Sequence, residues 1–512
     1  MTGGYLGIDI GTSACKALLM GPAGEVIDSE TVGYPLSSPQ DGWSEQAPED
    51  WIAGAAKAVQ AVLARSRQQP LCIGLSGQMH GMTPLDRDRR VLRPAILWND
   101  QRNAAECAEI TEAAGGLEAL LAHTGNRMLP GFTGGKIRWL QNHEPAVFER
   151  TEVVLNPKDY LRLRLSGEVA TEVSDASGTG LFDVARREWS KPLLEKIGLA
   201  PSLLPACQES AVVSAKVSAE GASLFGLAVG TPIVGGGGDA VIQTLGSGVV
   251  SEGRLQTTIG TAGIAATALA RPIANPEGRL QVFCNVAPDL WHCMGVSLNA
   301  GGALVWLQRL LSQAGATRDF DELTAAARDV GVGAGGLLFL PYLMGERCPW
   351  PDPSARGAFV GLRSHHGSAH LTRALLEGVV FALRDMATLM AEAGLARTRT
   401  IHASGGGASS DLWNQIQADI FDAEVATTPS AAEGAAYGAA MLAAVGSGAW
   451  RDLAEAAQVC SSDRRWRADP ARHAAYSELF DIYRGLYGSL TSANARLAGF
   501  DPADFKQTGS AA

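Results

Sequence analysis

One strand–turn–strand design occurs twice in this chain of 512 residues, and it constrains the fold more than any other feature. The first copy is Leu6-Gly-Ile-Asp-Ile-Gly-Thr-Ser13 and the second is Leu255-Gln-Thr-Thr-Ile-Gly-Thr-Ala262. Each is an apolar, partly β-branched run that breaks at Gly-Thr and then resumes, as Ala17-Leu-Leu-Met20 and as Ile264-Ala-Ala-Thr267. A glycine at the break admits positive φ, and the N–H groups of so tight a turn form a concave site for an anion. Two such turns suggest two halves that grip one phosphate-bearing ligand. Only the first copy carries an acid, Asp9, where the second has Thr258. The halves share a scaffold but not a role.

A chain of this length divides into two or three domains rather than one core. Strand and helix signals alternate from the first hairpin onward. Trp51, Ile52, Ala55, Val59, Val62 and Leu63 recur at helical spacing, and Leu71–Ser76 follows as a buried strand. Later elements include strands at Val153–Asn156, Pro232–Gly235 and Thr400–Ser404, with amphipathic helices at Ala303–Leu311 and Leu371–Leu389. This is α/β architecture. The expected division is residues 1–248, then 249–490, then a small, polar tail at 491–512 that frays. The net charge of −11 argues against nonspecific nucleic-acid binding, which needs a basic face. Secretory and membrane-spanning segments are not expected. The eight cysteines lack CxxC spacing and read as reduced, packed thiols of a cytoplasmic protein, without structural zinc. A homodimer is left open, because a dimer patch cannot be told from core positions in a single sequence.

Four glycine-marked strand ends are candidates for chemistry. At Asp9-Ile-Gly-Thr-Ser13 an aspartate leaves a strand beside a turn rich in N–H groups. It could hold Mg²⁺ or its waters while Gly11, Thr12 and Ser13 meet phosphate oxygens; it could equally cap its own turn. At Val234-Gly-Gly-Gly-Gly-Asp239 the glycines allow close approach of a ligand, and Asp239 falls at a helix N-terminus. A cap would not require four glycines, which favours a general base kept ionised by the helix end. The third is Gly260-Thr261, and the fourth is the bend Gly405-Gly406-Gly407, which leads into a helix at Asp411. Neither GxxxxGK[ST] nor a GxGxxG opening a βαβ unit is present. Gln78, Met79 and His80 form a polar turn ending an apolar strand, which suits a small-molecule pocket, although a turn histidine is the plainer reading of His80. Trp98, Asp100 and Arg102 combine an aromatic face with charged groups, as a polyhydroxylated ligand requires. They fit an ordinary turn with an ion pair as well.

Taken together these residues resemble the FGGY carbohydrate kinase family over nearly the whole chain. Gly131-Phe-Thr-Gly-Gly-Lys-Ile-Arg-Trp-Leu140 is similar to its first signature. Gly357-Ala-Phe-Val-Gly-Leu362, spaced to His370-Leu-Thr-Arg-Ala-Leu-Leu-Glu377, is similar to the second. The resemblance implies two actin/hexokinase-like (ribonuclease H-like) α/β ATPase domains with a nucleotide cleft between them. It implies ATP-dependent phosphorylation of D-xylulose at C5, with Asp239 as base and Asp9 near the Mg²⁺-ATP phosphates. Met79 and His80 would contact the sugar, with Gln78, Trp98 and Asp100 around it. Gly11, Thr12, Ser13, Gly260 and Thr261 would form the phosphate turns. Gly405, Gly406, Gly407 and Asp411 would lie by the adenosine. Two departures stand out: Ala240 replaces the asparagine expected after the base, and Ala262 replaces a serine in the second turn. The first keeps another ketopentose, a pentitol or a ketohexose open as substrate. A non-catalytic ATP or sugar sensor of the same fold is the rival from another class, and the presence of both Asp9 and Asp239 argues against it.

Overall fold

Hairpin pairing sets the register of the first sheet. The computed structural model describes residues 3–500 apart from 276, 316, 317, 429–432, 461 and 463. Strand β1 (Tyr5–Ile10) pairs antiparallel with β2 (Ala14–Met20), which pairs with β3 (Val26–Gly33). Helix α1 (Pro48–Ser66) crosses over to β4 (Cys72–Gly77), which is parallel to β1. Helix α2 (Thr133–His143) follows. The sheet is completed by β5 (Val213–Lys216) and β6 (Pro232–Val234), giving the mixed order β5-β6-β4-β1-β2-β3. A short strand β7 (Gly237–Gly238) also pairs with β4 and runs directly into helix α3 (Asp239–Gly246). Two compact units make up the chain. The first gathers the described residues of Met1–Arg254, Ala266–Cys293 and Thr428–Asp463, and the second the rest.

Periodicity explains the first core. The apolar stripe of α1 buries Trp51, Ile52, Ala55, Val59 and Val62 in one cluster with Ile8, Ile10, Ala17, Leu19, Ile73 and Leu75 of the strands. Full burial of each larger aliphatic side chain contributes about 1.5–3 kcal/mol. The same unit recruits a helix from late in the chain, Gly434–Gly446, because two strand glycines leave room for it. A Cβ on Gly7 would lie 1.9 Å from the carbonyl oxygen of Ala436, and one on Gly74 1.9 Å from that of Ala439.

The hairpin recurs as β8 (Arg254–Ile259) and β9 (Gly263–Leu269), of which Leu255–Ala265, the part around the turn, belongs to the second unit. Helices α4 (Gly301–Gln313) and α5 (Ser368–Glu392) follow, then β10 (Thr400–Ser404), α6 (Asp411–Phe421), β11 (Glu424–Thr427) and β12 (Arg464–Trp466). The strands are neighbours in the order β9-β8-β10-β11-β12. Helix α7 (Pro470–Ala498) buries Tyr476, Phe480 and Tyr483 at helical spacing. Its helical pattern therefore carries to Ala498 through the first part of the expected tail; residues 501–512 of that tail lie outside the described residues. The eight cysteines form no disulfide with one another, and seven of them are buried.

The turn glycines correct one expectation. Neither Gly11 nor Gly260 adopts positive φ. Gly11 instead serves close approach, since a Cβ there would press on the Ala14 carbonyl at 3.0 Å while its own N–H closes the turn on that oxygen. At Gly260 a Cβ would meet nothing nearer than 3.8 Å; its carbonyl accepts the Gly301 N–H, and a Cβ on Gly301 would stand 2.6 Å from that oxygen.

Candidate active site

Strand register brings the two aspartates together. Asp9 lies opposite Lys16 on one side and Ser76 on the other, and Gly237 lies opposite Ser76 in turn. Asp239, two residues beyond Gly237, therefore emerges on the same sheet end as Asp9. Both residues are half-buried, and the protein packed around them raises both carboxyls. Burial lifts Asp9 to about 6 against the pull of the Ser76 hydroxyl and the Lys16 charge. Burial lifts Asp239 to about 7, the Asp9 charge adds to it, and backbone N–H groups of Ala240 and Met79 oppose it. The helix end does not keep Asp239 fully ionised at neutral pH, as its position alone implied; desolvation and a like charge outweigh the dipole. Asp239 is the first residue of α3, whose N-cap is Gly238, so it is not spent as a cap. Its Oδ1 accepts the Ala240 N–H at 2.7 Å. Asp9 Oδ1 has no protein partner among the described residues.

The four glycines before Asp239 serve the protein's own packing. A Cβ on Gly236, where φ is 87°, would lie 2.3 Å from the Leu75 carbonyl. One on Gly238 would lie 2.5 Å from Met79 Cγ and 2.7 Å from its sulfur. The run thus presses Asp239 against β4 and the Met79 turn.

Around this pair the first turn is heavily braced. The Tyr34 hydroxyl donates to the Gly11 carbonyl at 2.5 Å, Gln46 Nε2 donates to the Thr12 carbonyl at 2.7 Å, and the Trp98 indole donates to Thr12 Oγ1 at 2.9 Å. The N–H groups of Thr12 and Ser13 have no protein acceptor among the described residues. Gln78 is buried, donating to Gln46 Oε1 at 3.0 Å while its own Oε1 has no protein partner among the described residues. Met79 is buried against Gly238. His80 is half-buried with φ of 69°, a left-handed conformation uncommon for a residue with a side chain. Its Nδ1 lies 2.5 Å from the Gly178 carbonyl oxygen, which assigns the proton to Nδ1, and its ring stacks on Phe132 at 4.6 Å. Asp100 is fully buried and already committed. It accepts the N–H of Ser44 at 2.6 Å, the N–H and Nε of Arg102 at 2.9 Å each, and Arg102 Nη2 at 2.7 Å. Asp100 is a brace for Arg102, while the Trp98 face remains beside the turn.

In the second unit an open cavity of about 770 Å³ is lined by the second turn and the glycine bend. Gly260, Thr261, Gly406, Gly407 and Asp411 all line it. Asp411 is engaged there by an ion pair with Arg464. Gly405 shapes the bend from behind: its φ is 75°, and a Cβ would lie 2.7 Å from the Ile259 carbonyl. The sequence reading missed Phe320, Arg328 and Trp413 on the cavity wall, and Lys16 and Ser76 beside Asp9. The one signal available for Lys16 was the hairpin count, which places it opposite Asp9. Among the described residues no cluster of three His, Cys, Asp or Glu side chains is arranged to hold a metal, and no helix is long and apolar enough to cross a membrane.

Comparison with known proteins adds to this geometry. The N-terminal domain of the FGGY family of carbohydrate kinases matches residues 4–246, and its C-terminal domain matches residues 255–447. A xylulose kinase of Bacillus subtilis is 38% identical over 499 residues, covering 97% of this chain and 99% of its own length. One of Escherichia coli is 38% identical over 487 residues, covering 95% and 99%. The crystal structure of a xyloylose kinase from Brucella ovis superposes with a TM-score of 0.88 at 37% identity, covering 96% of this chain and 99% of that one.

Proposed function

Because the chain belongs to the FGGY family of carbohydrate kinases, and so transfers a phosphoryl group from ATP to a sugar hydroxyl, we propose that its sugar is D-xylulose and that C5 is the site of transfer. Asp239 is the general base. As the C5 oxygen attacks the γ-phosphorus, its proton passes to the Asp239 carboxylate, the bond to the β-phosphate oxygen breaks, and ADP leaves. The observation that carries the assignment is the register Asp9–Ser76–Gly237, which sets Asp239 within electrostatic reach of Asp9 on one sheet end. A carboxyl poised near 7 matches a base that works at neutral pH. Met79 and His80 contact the ketose, Gln78 and Trp98 support that pocket, and Asp100 acts through Arg102.

Mg²⁺, when bound, supplies charge neutralisation at the phosphates. Asp9 suits it: one carboxylate oxygen lacks a protein partner, and its charge reaches far enough to raise the Asp239 carboxyl. Asp9 would hold the ion through water. The backbone N–H groups of Thr12 and Ser13 and the second turn at Gly260 and Thr261 meet phosphate oxygens, and the bend at Gly405–Gly407 with Asp411 lies by the adenosine.

A second reading rests on Ala240, which is half-buried beside Asp239 and offers no side-chain hydrogen bond. A ligand hydrogen bond is worth about 0.5–1.5 kcal/mol, enough to shift preference toward another ketopentose, a pentitol or a ketohexose. The test is a sugar panel with coupled ADP detection. D-xylulose should give the highest kcat/KM, and Asp239→Ala should lose at least about 100-fold in kcat. A pentitol preferred over D-xylulose overturns the substrate, and near wild-type kcat in Asp239→Ala overturns the base.

A further inference from the structure

Lys136 is a charged side chain in an unusual place. It sits in the first turn of α2, fully buried, with no carboxylate at ion-pairing distance among the described residues. Lysine is almost never buried in this way without a counter-charge. Its Nζ instead donates to two main-chain carbonyls, His80 at 2.7 Å and Gly131 at 2.6 Å. Those carbonyls belong to the two segments that carry the stacked rings of His80 and Phe132, whose planes differ by only 26°. The imidazole is also held through Nδ1 by the Gly178 carbonyl, and Phe283 lies 5.9 Å away in a tilted arrangement.

We propose that Lys136 is a positioning residue for sugar recognition: by tying the main chains of His80 and Gly131 to one ammonium, it fixes the His80 imidazole against Phe132 in a single orientation and tautomer. The proposal rests on the reading that His80 contacts the sugar. Packing does not account for the lysine, because an uncharged side chain of similar length would fill the same space without losing hydration. Burial pushes its pKa down to about 7, against the pull of Asp100 and Cys107. A group kept at that cost, two hydrogen bonds from a substrate turn, acts on the turn.

The experiment compares Lys136→Met and Lys136→Gln with the unvaried enzyme, in the wild-type and the His80→Ala backgrounds. Sugar-dependent ADP release by the unvaried enzyme is measured first; its absence would count against the kinase reading itself and overturn both claims. Lys136→Met should raise KM for the sugar about tenfold, leave KM for ATP within about twofold, and lose its effect when His80 is already alanine. Lys136→Gln, which keeps an N–H donor, should recover part of the loss. A KM for sugar that does not move, equal losses for both substrates, or full additivity with His80→Ala would overturn the proposal. So would failure of both variants to fold, because the lysine would then belong to the core rather than to the sugar turn.

Discussion

Asp239→Asn should make the protein more stable while abolishing its activity. In the folded chain burial, reinforced by the Asp9 charge, lifts this carboxyl from 3.8 to about 7. The folded value lies above the unfolded one, so stability linked to the group is complete below 3.8 and is lost as pH rises through about 7. Roughly three pKa units at about 1.36 kcal/mol each set a ceiling of about 4 kcal/mol. That ceiling is already net of the N–H groups of Ala240 and Met79, bonds that an amide oxygen accepts less well. Allowing about 1 kcal/mol for each weakened bond leaves a net gain of about 2 kcal/mol for the amide near neutral pH. At roughly 2 °C per kcal/mol for a folding unit of this size, Tm should rise by about 4 °C. At about pH 5 the carboxyl is mostly protonated when folded, its linked cost falls to about 1.7 kcal/mol, and the gain disappears. Calorimetry of both proteins from about pH 5 to pH 8 reads the difference directly. A variant less stable at neutral pH, or a Tm difference that does not grow with pH, refutes the account of Asp239 as a carboxylate held against its own ionisation.

The same electrostatics govern the rate. kcat/KM should fall as pH drops below about 7, and Asp9→Asn should shift that limb to lower pH by removing the like charge; a flat profile would contradict the pairing. Gly238→Ala drives a methyl into Met79, whose Cγ would be 2.5 Å away, so steady-state kinetics should show KM for sugar about tenfold higher with KM for ATP unchanged. Gly405→Ala meets both a φ of 75° and the Ile259 carbonyl at 2.7 Å, so calorimetric titration should show ADP affinity reduced about tenfold. Ala240→Asn should improve kcat/KM for D-xylulose by about three- to tenfold in the sugar panel if a hydrogen bond to the ketose is what the alanine lacks.

Local signals were legible before any coordinates. Both hairpins, α1 and the Gly-run leading into α3 follow from apolar periodicity and from glycine placement, and they stand within three residues of where the pattern puts them. What escaped were consequences of distance along the chain. Nothing near Gly434–Gly446 says that it joins the first sheet; the hint lay in Gly7 and Gly74, strand glycines that make sense only once a helix backbone rests on them. The role of Asp100 was hidden for a similar reason, because its partner Ser44 is 56 residues away and an acid in a turn looks available until its acceptor sites are counted. Lys136 read as part of a signature, and only its burial and its two carbonyl partners separate it from the surface lysines.

Satisfaction of polar groups explains why the two hairpins diverged in role. Thr258 occupies in the second hairpin the place of Asp9 in the first. Its hydroxyl lies 2.7 Å from Ser404 Oγ and accepts from Gln256 Nε2 at 3.2 Å, while Ser404 Oγ also reaches the Thr257 carbonyl at 3.2 Å. That network is neutral and closed on itself, and it ties the second turn to β10, whose end becomes the Gly405 bend. An aspartate there would add a charge among hydroxyls and an amide. At Asp9 the reverse holds: Lys16 stands across the pair of strands, and one carboxylate oxygen finds no protein donor. A buried acceptor left without a partner is costly, which leaves Asp9 Oδ1 open to a donor or cation from outside the fold. The same criterion separates Asp100, which takes four donors and is a brace, from Asp9, whose Oδ1 has no protein donor among the described residues. Equal backbones thus carry unequal side chains: the acid before the first turn keeps an acceptor without a protein donor, while the threonine before the second is already bonded within its own sheet.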